Sequence, residues 1–220
     1  MNSDWSQLWP KLVESFGQTL QMVSVTLIVG GFFGLLIGLG LYVTRKGNLF
    51  PNAMVFNVLN VLVNIIRPIP FIIFITAVRP VTLQLTGATI GTGAVIFPMT
   101  VMAAFAFSRI VEQNLVALDP GVVEAARAMG ASRLRIIWSV IVPEALAPLI
   151  LGFTFLFVGV VDMSAMAGAI GGGGLGDFAI RFGYQKFDEQ VTLVTVIIII
   201  LLVQTAQFIG NGLAKKALHR

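Results

Sequence analysis

The chain has 220 residues, a formal net charge of +4, and 57% hydrophobic against 11% charged residues; a soluble domain carries roughly 25% charged residues, so the composition excludes a water-soluble globular protein and points to a bilayer. With no cysteine there is no disulfide, thiol nucleophile or thiolate metal site, and the single histidine, His219, stands in a basic tail beside Lys215, Lys216 and Arg220, which excludes a histidine-dependent catalytic triad. The basic residues sit at the ends of apolar runs and in short loops, a pattern of membrane topology and not of nucleic-acid binding.

In chain order, Met1 to Gly17 carries Trp5, Leu8, Trp9, Leu12 and Phe16 on one helical face, which predicts a helix lying in the membrane interface. It lacks the basic start, short apolar core and small-residue cleavage site of a signal peptide. A first span is predicted over Thr19 to Val43, longer than the roughly 20 apolar residues that cross the hydrocarbon core. Its Gly30, Gly34 and Gly38 form a flat ridge on which another helix can pack closely. A second span, Ala53 to Val78, is interrupted by Asn57, Asn60, Asn64 and the segment Arg67-Pro68-Ile69-Pro70. The prolines remove backbone donors, so the span is expected to be broken, with the irregular backbone covered by protein or a water-filled cavity. Arg67 then either lines a path or is satisfied by carbonyls that the prolines free. A third span, Ala88 to Phe107, continues as helix toward Leu118 and delivers Arg109 and Glu112 to the polar side.

Asp119 to Leu146 is the one long polar interruption in the second half of the chain. Asp119 suits an N-cap and Pro120 the first helical position, while Val122, Ala126 and Met129 recur at helical spacing. Gly130 ends that helix, and Ser132 caps a second one with Leu134, Ile137, Trp138 and Ile141 as its apolar stripe, closed by Pro143. Glu124, Arg127, Arg133 and Arg135 lie on the other side, making a knob suited to a groove on a partner.

A fourth span is predicted over Ala147 to Met166 and a fifth over Val191 to Ile209, joined by a glycine-rich connection. Gly171, Gly173 and Gly176 satisfy GxGxxG, but they follow a membrane helix and not a strand, and GxxxxGK[ST] is absent, so no nucleotide site is expected; the run reads as a flexible or tightly turning outer loop. Met99, Met102, Met163 and Met166 read as adaptable packing residues. Five spans put the termini on opposite faces. With the N-terminus outside, nine basic residues (Arg45, Lys46, Arg109, Arg127, Arg133, Arg135, Lys215, Lys216 and Arg220) fall inside and four (Lys11, Arg79, Arg181 and Lys186) outside. The 119–143 loop is therefore expected to face the cytoplasm.

Glu124, Ala125, Ala126, Gly130 and Pro143 resemble in type and spacing the cytoplasmic EAA loop of ABC-importer permeases, with Val140 and Val142 where isoleucine and leucine are usual. The string IIRPIPFIIF, with Pro68 where serine is common, and the stretch SAMAGAIGGGGLGDFAIRFGYQKF are similar to segments of the methionine-uptake permeases. The resemblance implies an all-α membrane protein: five transmembrane helices, an N-terminal interfacial helix and a cytoplasmic coupling loop within one permease domain over residues 1–220. It implies a homodimer in a bacterial cell membrane that meets two copies of an ABC ATPase and an extracytoplasmic binding protein or lipoprotein, with lipids and no nucleic acid as its other surroundings. ATP and Mg would bind the ATPase, leaving this non-catalytic chain without cofactor or metal. Glu124, Ala125, Ala126, Met129, Gly130 and Pro143 become the ATPase-coupling residues, and Arg67, Asp162, Met163, Ser164 and Met166 candidates for the translocation path.

One departure stands out: Asp162-Met163 replaces the uncharged glycine-tyrosine pair that the resemblance leads one to expect. A carboxylate there either faces the path, meeting substrate or Arg67, or reaches interfacial water. The expected cargo is methionine or a close relative, the alternative another small polar amino acid. A passive channel or ion-coupled carrier and a membrane anchor are the readings from other classes. A carrier is disfavoured by the lack of a visible inverted repeat, and an anchor has no need of a broken, arginine-bearing span.

Overall fold

The structure is a computed structural model that describes residues 4–218, so the expectation for His219 lies outside the described residues. Every regular element among these residues is helical. Helix α1, Trp5–Thr44, is 40 residues long and begins at Asp4, whose carboxylate accepts the Ser6 N–H at 3.2 Å. Among the described residues no break separates the predicted interfacial segment from the first span. Of the predicted stripe, Trp5, Leu8, Leu12 and Phe16 pack on Leu175, Phe178 and Val191, while Trp9 is 60% exposed, and the helix continues without a break into the first span. Pro10 is accommodated within it near the start, where its missing N–H forgoes a single bond to the Ser6 carbonyl.

The predicted second span is broken. Helix α2, Ala53–Ile66, is capped by Asn52 and ends at Arg67, and α3, Phe71–Ala77, leaves it at 107°. At 1.5 Å per residue the 14 residues of α2 reach only about 21 Å, short of the roughly 30 Å hydrocarbon core. A short α4, Arg79–Thr86, follows and ends at Gly87 with φ +73°. Helix α5, Thr92–Val116, then returns along α1.

The glycine ridge of α1 lies on α5. A β-carbon at Gly30 would sit 3.0 Å from the Thr100 carbonyl oxygen, one at Gly34 2.8 Å from that of Ala104, and one at Gly38 2.5 Å from that of Ser108. The two backbones touch because these residues have no side chain. Met22, Leu27, Met99, Met102, Phe107 and Val111 are part of the main core around this seam.

Helices α6, Pro120–Ala128, and α7, Arg133–Ile136, follow, then a wide π turn at Ile137–Ile141 and α8, Val142–Glu144. Helix α9, Leu146–Ala169, leads into the glycine run and α10, Gly174–Phe178; α11, Glu189–Leu218, completes the fold. Helices α1, α5, α9 and α11 are long and apolar enough to cross a membrane, and the bent pair α2–α3 makes a fifth crossing if it counts as one span.

The glycine run forms a tight turn, one of the two readings of the sequence. Gly171, Gly173 and Gly174 take φ of +87°, +78° and +80°, which sends α10 back along α9. A β-carbon at Gly176 would fall 2.3 Å from the Ala165 carbonyl oxygen. The first amides of α10 are held by α1: Gly174 N–H donates to Gln18 Oε1 at 2.7 Å and Leu175 N–H to Thr19 Oγ1 at 2.8 Å. Lys11 and Lys186 flank the Phe182 ring at 4.8 and 5.2 Å, and Arg181 pairs with Asp177 at 2.7 Å, so these basic groups share one end of the bundle.

Candidate coupling surface and pathway

Asp119 caps α6 as expected, its carboxylate accepting the Gly121 N–H at 2.8 Å, and Gly130 takes φ +77°, which only glycine adopts freely. Ser132 Oγ accepts the Arg135 N–H at 3.4 Å and starts α7. The apolar stripes divide between two faces. Ala126, Ile136, Ile137 and Ile141 are buried against the core, whereas Met129 is 81% exposed and Leu134 and Trp138 stand outward as well. Glu124, Ala125, Gly130 and Pro143 are also exposed. The knob thus anchors itself by one face and offers Met129, Leu134 and the charges of Glu124, Arg127 and Arg135 on another.

Pro143 does not close the second helix. It lies in the first turn of α8, directly after the π turn in which Val142 N–H reaches back to the Ile137 carbonyl. The wider turn gives the proline ring room where a regular helix would clash with the carbonyl four residues earlier. Ala145 N–H then meets the Ile141 carbonyl at 3.0 Å, and the chain continues into α9 almost without interruption.

The candidate path residues separate. Arg67, at the α2–α3 break, and Asp162, on α9, are both exposed on the single chain, and among the described residues no ion pair joins them. Met163 and Ser164 point into the bundle, the Ser164 hydroxyl donating to the Val161 carbonyl at 2.7 Å; Met166 is half-buried. Neighbours on a helix project about 100° apart, so Asp162 and Met163 cannot share one surface.

Sequence reasoning missed a polar cluster. Arg109 on α5 contacts the Glu112 carboxylate through Nη1, while Nη2 donates to Asn60 Oδ1 at 2.9 Å and Asn64 Oδ1 at 2.6 Å on α2. Asn64 Nδ2 donates to Asn60 Oδ1 at 3.3 Å. Glu112 is only 4% exposed. The spacings that could have revealed it are Asn60 to Asn64 at i, i+4 and Arg109 to Glu112 at i, i+3, each of which puts two polar groups on one helix face.

Long apolar helices, a broken arginine-bearing helix and an exposed knob between spans define a multi-pass membrane protein with a surface open to a partner. The family model described as "Binding-protein-dependent transport system inner membrane component" matches residues 30–217, and the chain belongs to that family of multi-pass membrane permease subunits. It is 42% identical to the Vibrio cholerae "Probable D-methionine transport system permease protein MetI" over 209 residues, covering 95% of this chain and 93% of that one. It is 39% identical to the Bacillus subtilis "Methionine import system permease protein MetP", covering 78% and 77%. The structure is similar to a chain of "Inward facing conformations of the MetNI methionine ABC transporter", with a TM-score of 0.93, 37% identity and 99% of both chains covered.

Proposed function

We propose that this permease chain carries methionine, or a close relative, inward across a bacterial cell membrane as half of a homodimer driven by two ABC ATPase subunits and supplied by an extracytoplasmic binding protein. The observation that carries the reading is the near-complete match in sequence and fold to permeases named for methionine transport. The five-span topology, with the N-terminus outside, is supported by the basic residues collected around the knob: Arg45, Lys46, Arg127, Arg133 and Arg135. The knob at 119–143 then faces the cytoplasm, where Met129 and Leu134 fit an apolar groove on the ATPase and Glu124 and Arg127 supply charge at its rim. The ATPase holds ATP and Mg; this chain holds no cofactor and catalyses no reaction.

Mechanistically, closure of two ATPases draws the two knobs together, and each knob moves α5 and α9, between which it is threaded. Two arrangements of the helix bundles follow, one open to each side, and their populations shift with the nucleotide state. Arg67 and Asp162 are exposed on the single chain and available to a polar path at the dimer interface. The test is purification of the tagged chain from its native membrane with stoichiometry by mass spectrometry, beside the Glu124→Lys variant. An ABC ATPase recovered at equal stoichiometry and lost in the variant is the expected result. Recovery of no ATPase in either sample, under conditions that preserve a known importer, overturns the reading in favour of a channel or an anchor.

A further inference from the structure

Most apolar side chains of α2 point away from its own chain, while Val63 is buried, Leu59 lies against Gly40 of α1 and Ile66 packs on the main core. Met54, Val55, Val58, Val61, Leu62 and Ile65 are all exposed, and Val63 is the one residue of α2 that is fully buried. What ties it to α5 is the Arg109 guanidinium, one arm on Glu112 and the other between Asn60 and Asn64. A charged group in a span is costly unless paired, and the planar fork satisfies two helices at once. Arg109 lies seven residues before the end of α5 at Val116, and the knob begins four residues beyond that end, at Pro120 of α6.

We propose that Arg109 is a positioning residue for transport: it fastens α2 to α5, so that a displacement delivered to the knob carries α2, and with it the Arg67 break, along with α5. This rests on the importer reading above, in which the knob receives the ATPase stroke. With the fork intact, α2 and α5 move as one body. Without it α2 keeps its packing on α1, where Leu59 lies against Gly40, but loses its polar link to α5.

The test uses the complete complex of permease, ATPase and binding protein in proteoliposomes, and reads uptake per ATP hydrolysed together with ATPase recovery and thermal stability. Asn60→Ala/Asn64→Ala leaves the Arg109–Glu112 pair in place and cuts only the link to α2. Its uptake per ATP should fall about tenfold, with ATPase recovery and hydrolysis close to those of the unaltered complex. Arg109→Lys should not restore coupling, because an ammonium on a single stem cannot present two planar arms. Wild-type coupling in either variant overturns the proposal. So does an equal fall in uptake and hydrolysis with a lowered melting temperature, which marks a merely structural prop. Absence of the ATPase from the unaltered complex would instead refute the importer reading itself, so the two failures are distinguishable.

Discussion

Helices α1 and α2 both lie against α5, and they are held by opposite means. The α1–α5 seam is backbone on backbone, with Gly30, Gly34 and Gly38 closing on the carbonyls of Thr100, Ala104 and Ser108. The α2–α5 contact is a polar clasp on a helix whose apolar side chains mostly point away from the chain. In lipid there is no hydrophobic drive between helices, so close van der Waals packing and buried hydrogen bonds are the two means available. Packing along a ridge fixes a helix over its whole length and resists sliding. A clasp acts at one point, so a displacement of α5 reaches α2 through Arg109, while Leu59 of α2 lies against Gly40 of α1.

The comparison breaks first at the seam. Gly38→Leu puts a side chain where even a β-carbon would be 2.6 Å from the Val111 β-carbon, and should destabilise the chain by upwards of about 3 kcal/mol, seen as loss of the monodisperse species in detergent and a lowered melting temperature. Gly17→Leu, with nothing within 4 Å of its β-carbon, is the control and should behave as the unaltered chain. Equal damage from both would remove the distinction between a packed ridge and a free face.

A smaller effect sharpens the account of the clasp. Asn52 caps α2 through a bond from the Val55 N–H at 3.1 Å, and Asn52→Ala should cost about 1 kcal/mol. If the clasp acts at one point of α2, hydrogen exchange should quicken in the first turns of α2 and stay unchanged along α1 and α5. Exchange that quickens in all three would mean that α2 is part of the same cooperative unit as the seam.

The smallest effect lies at the far end of α1. The Ser6 hydroxyl, 2.6 Å from Asp4 Oδ1, leads the hydrogen bonds that hold the Asp4 carboxyl below the ordinary carboxylate value. A depressed folded value means that the cap's contribution is present above the ordinary value and is lost as the pH falls through the folded one. Protection at Ser6 and Gln7, measured against the intrinsic exchange rate at each pH, should therefore fall in acid, Asp4→Ala should remove that dependence, and the seam should be indifferent to both. A seam that loosens with Asp4 would show that the end of α1 and its middle unfold together.

Much of this was legible from the residues. The glycine ridge, the break at Arg67-Pro68-Ile69-Pro70, the Asp119 and Ser132 caps and the bend at Gly130 are local statements about backbone freedom, and local chemistry settled them. Two readings need correction and a third stays open in the sequence, for a common reason. The face of Trp5, Leu8, Trp9, Leu12 and Phe16 looked interfacial because its amphipathicity does not say that Phe178 and Val191 will cover most of it and leave Trp9 exposed. Pro143 looked like a stop because the π turn before it has no sequence signature. The glycine run by itself admits a flexible or a tightly turning loop, and the tight turn holds; the groups that pin it, Gln18 and Thr19, lie 156 residues away.

The sequence by itself determined the membrane class, the approximate limits of the long helices and the polar knob between two of them, because hydropathy, length and capping chemistry act within a few turns of helix. Only the tertiary structure decided which faces are covered, that Arg109 joins Glu112 to Asn60 and Asn64, and that Met163 turns inward while Asp162 stays exposed. Those outcomes depend on the rotation of each helix about its axis and on partners far off in the chain, and periodicity supplies a helix with faces without assigning a neighbour to any of them.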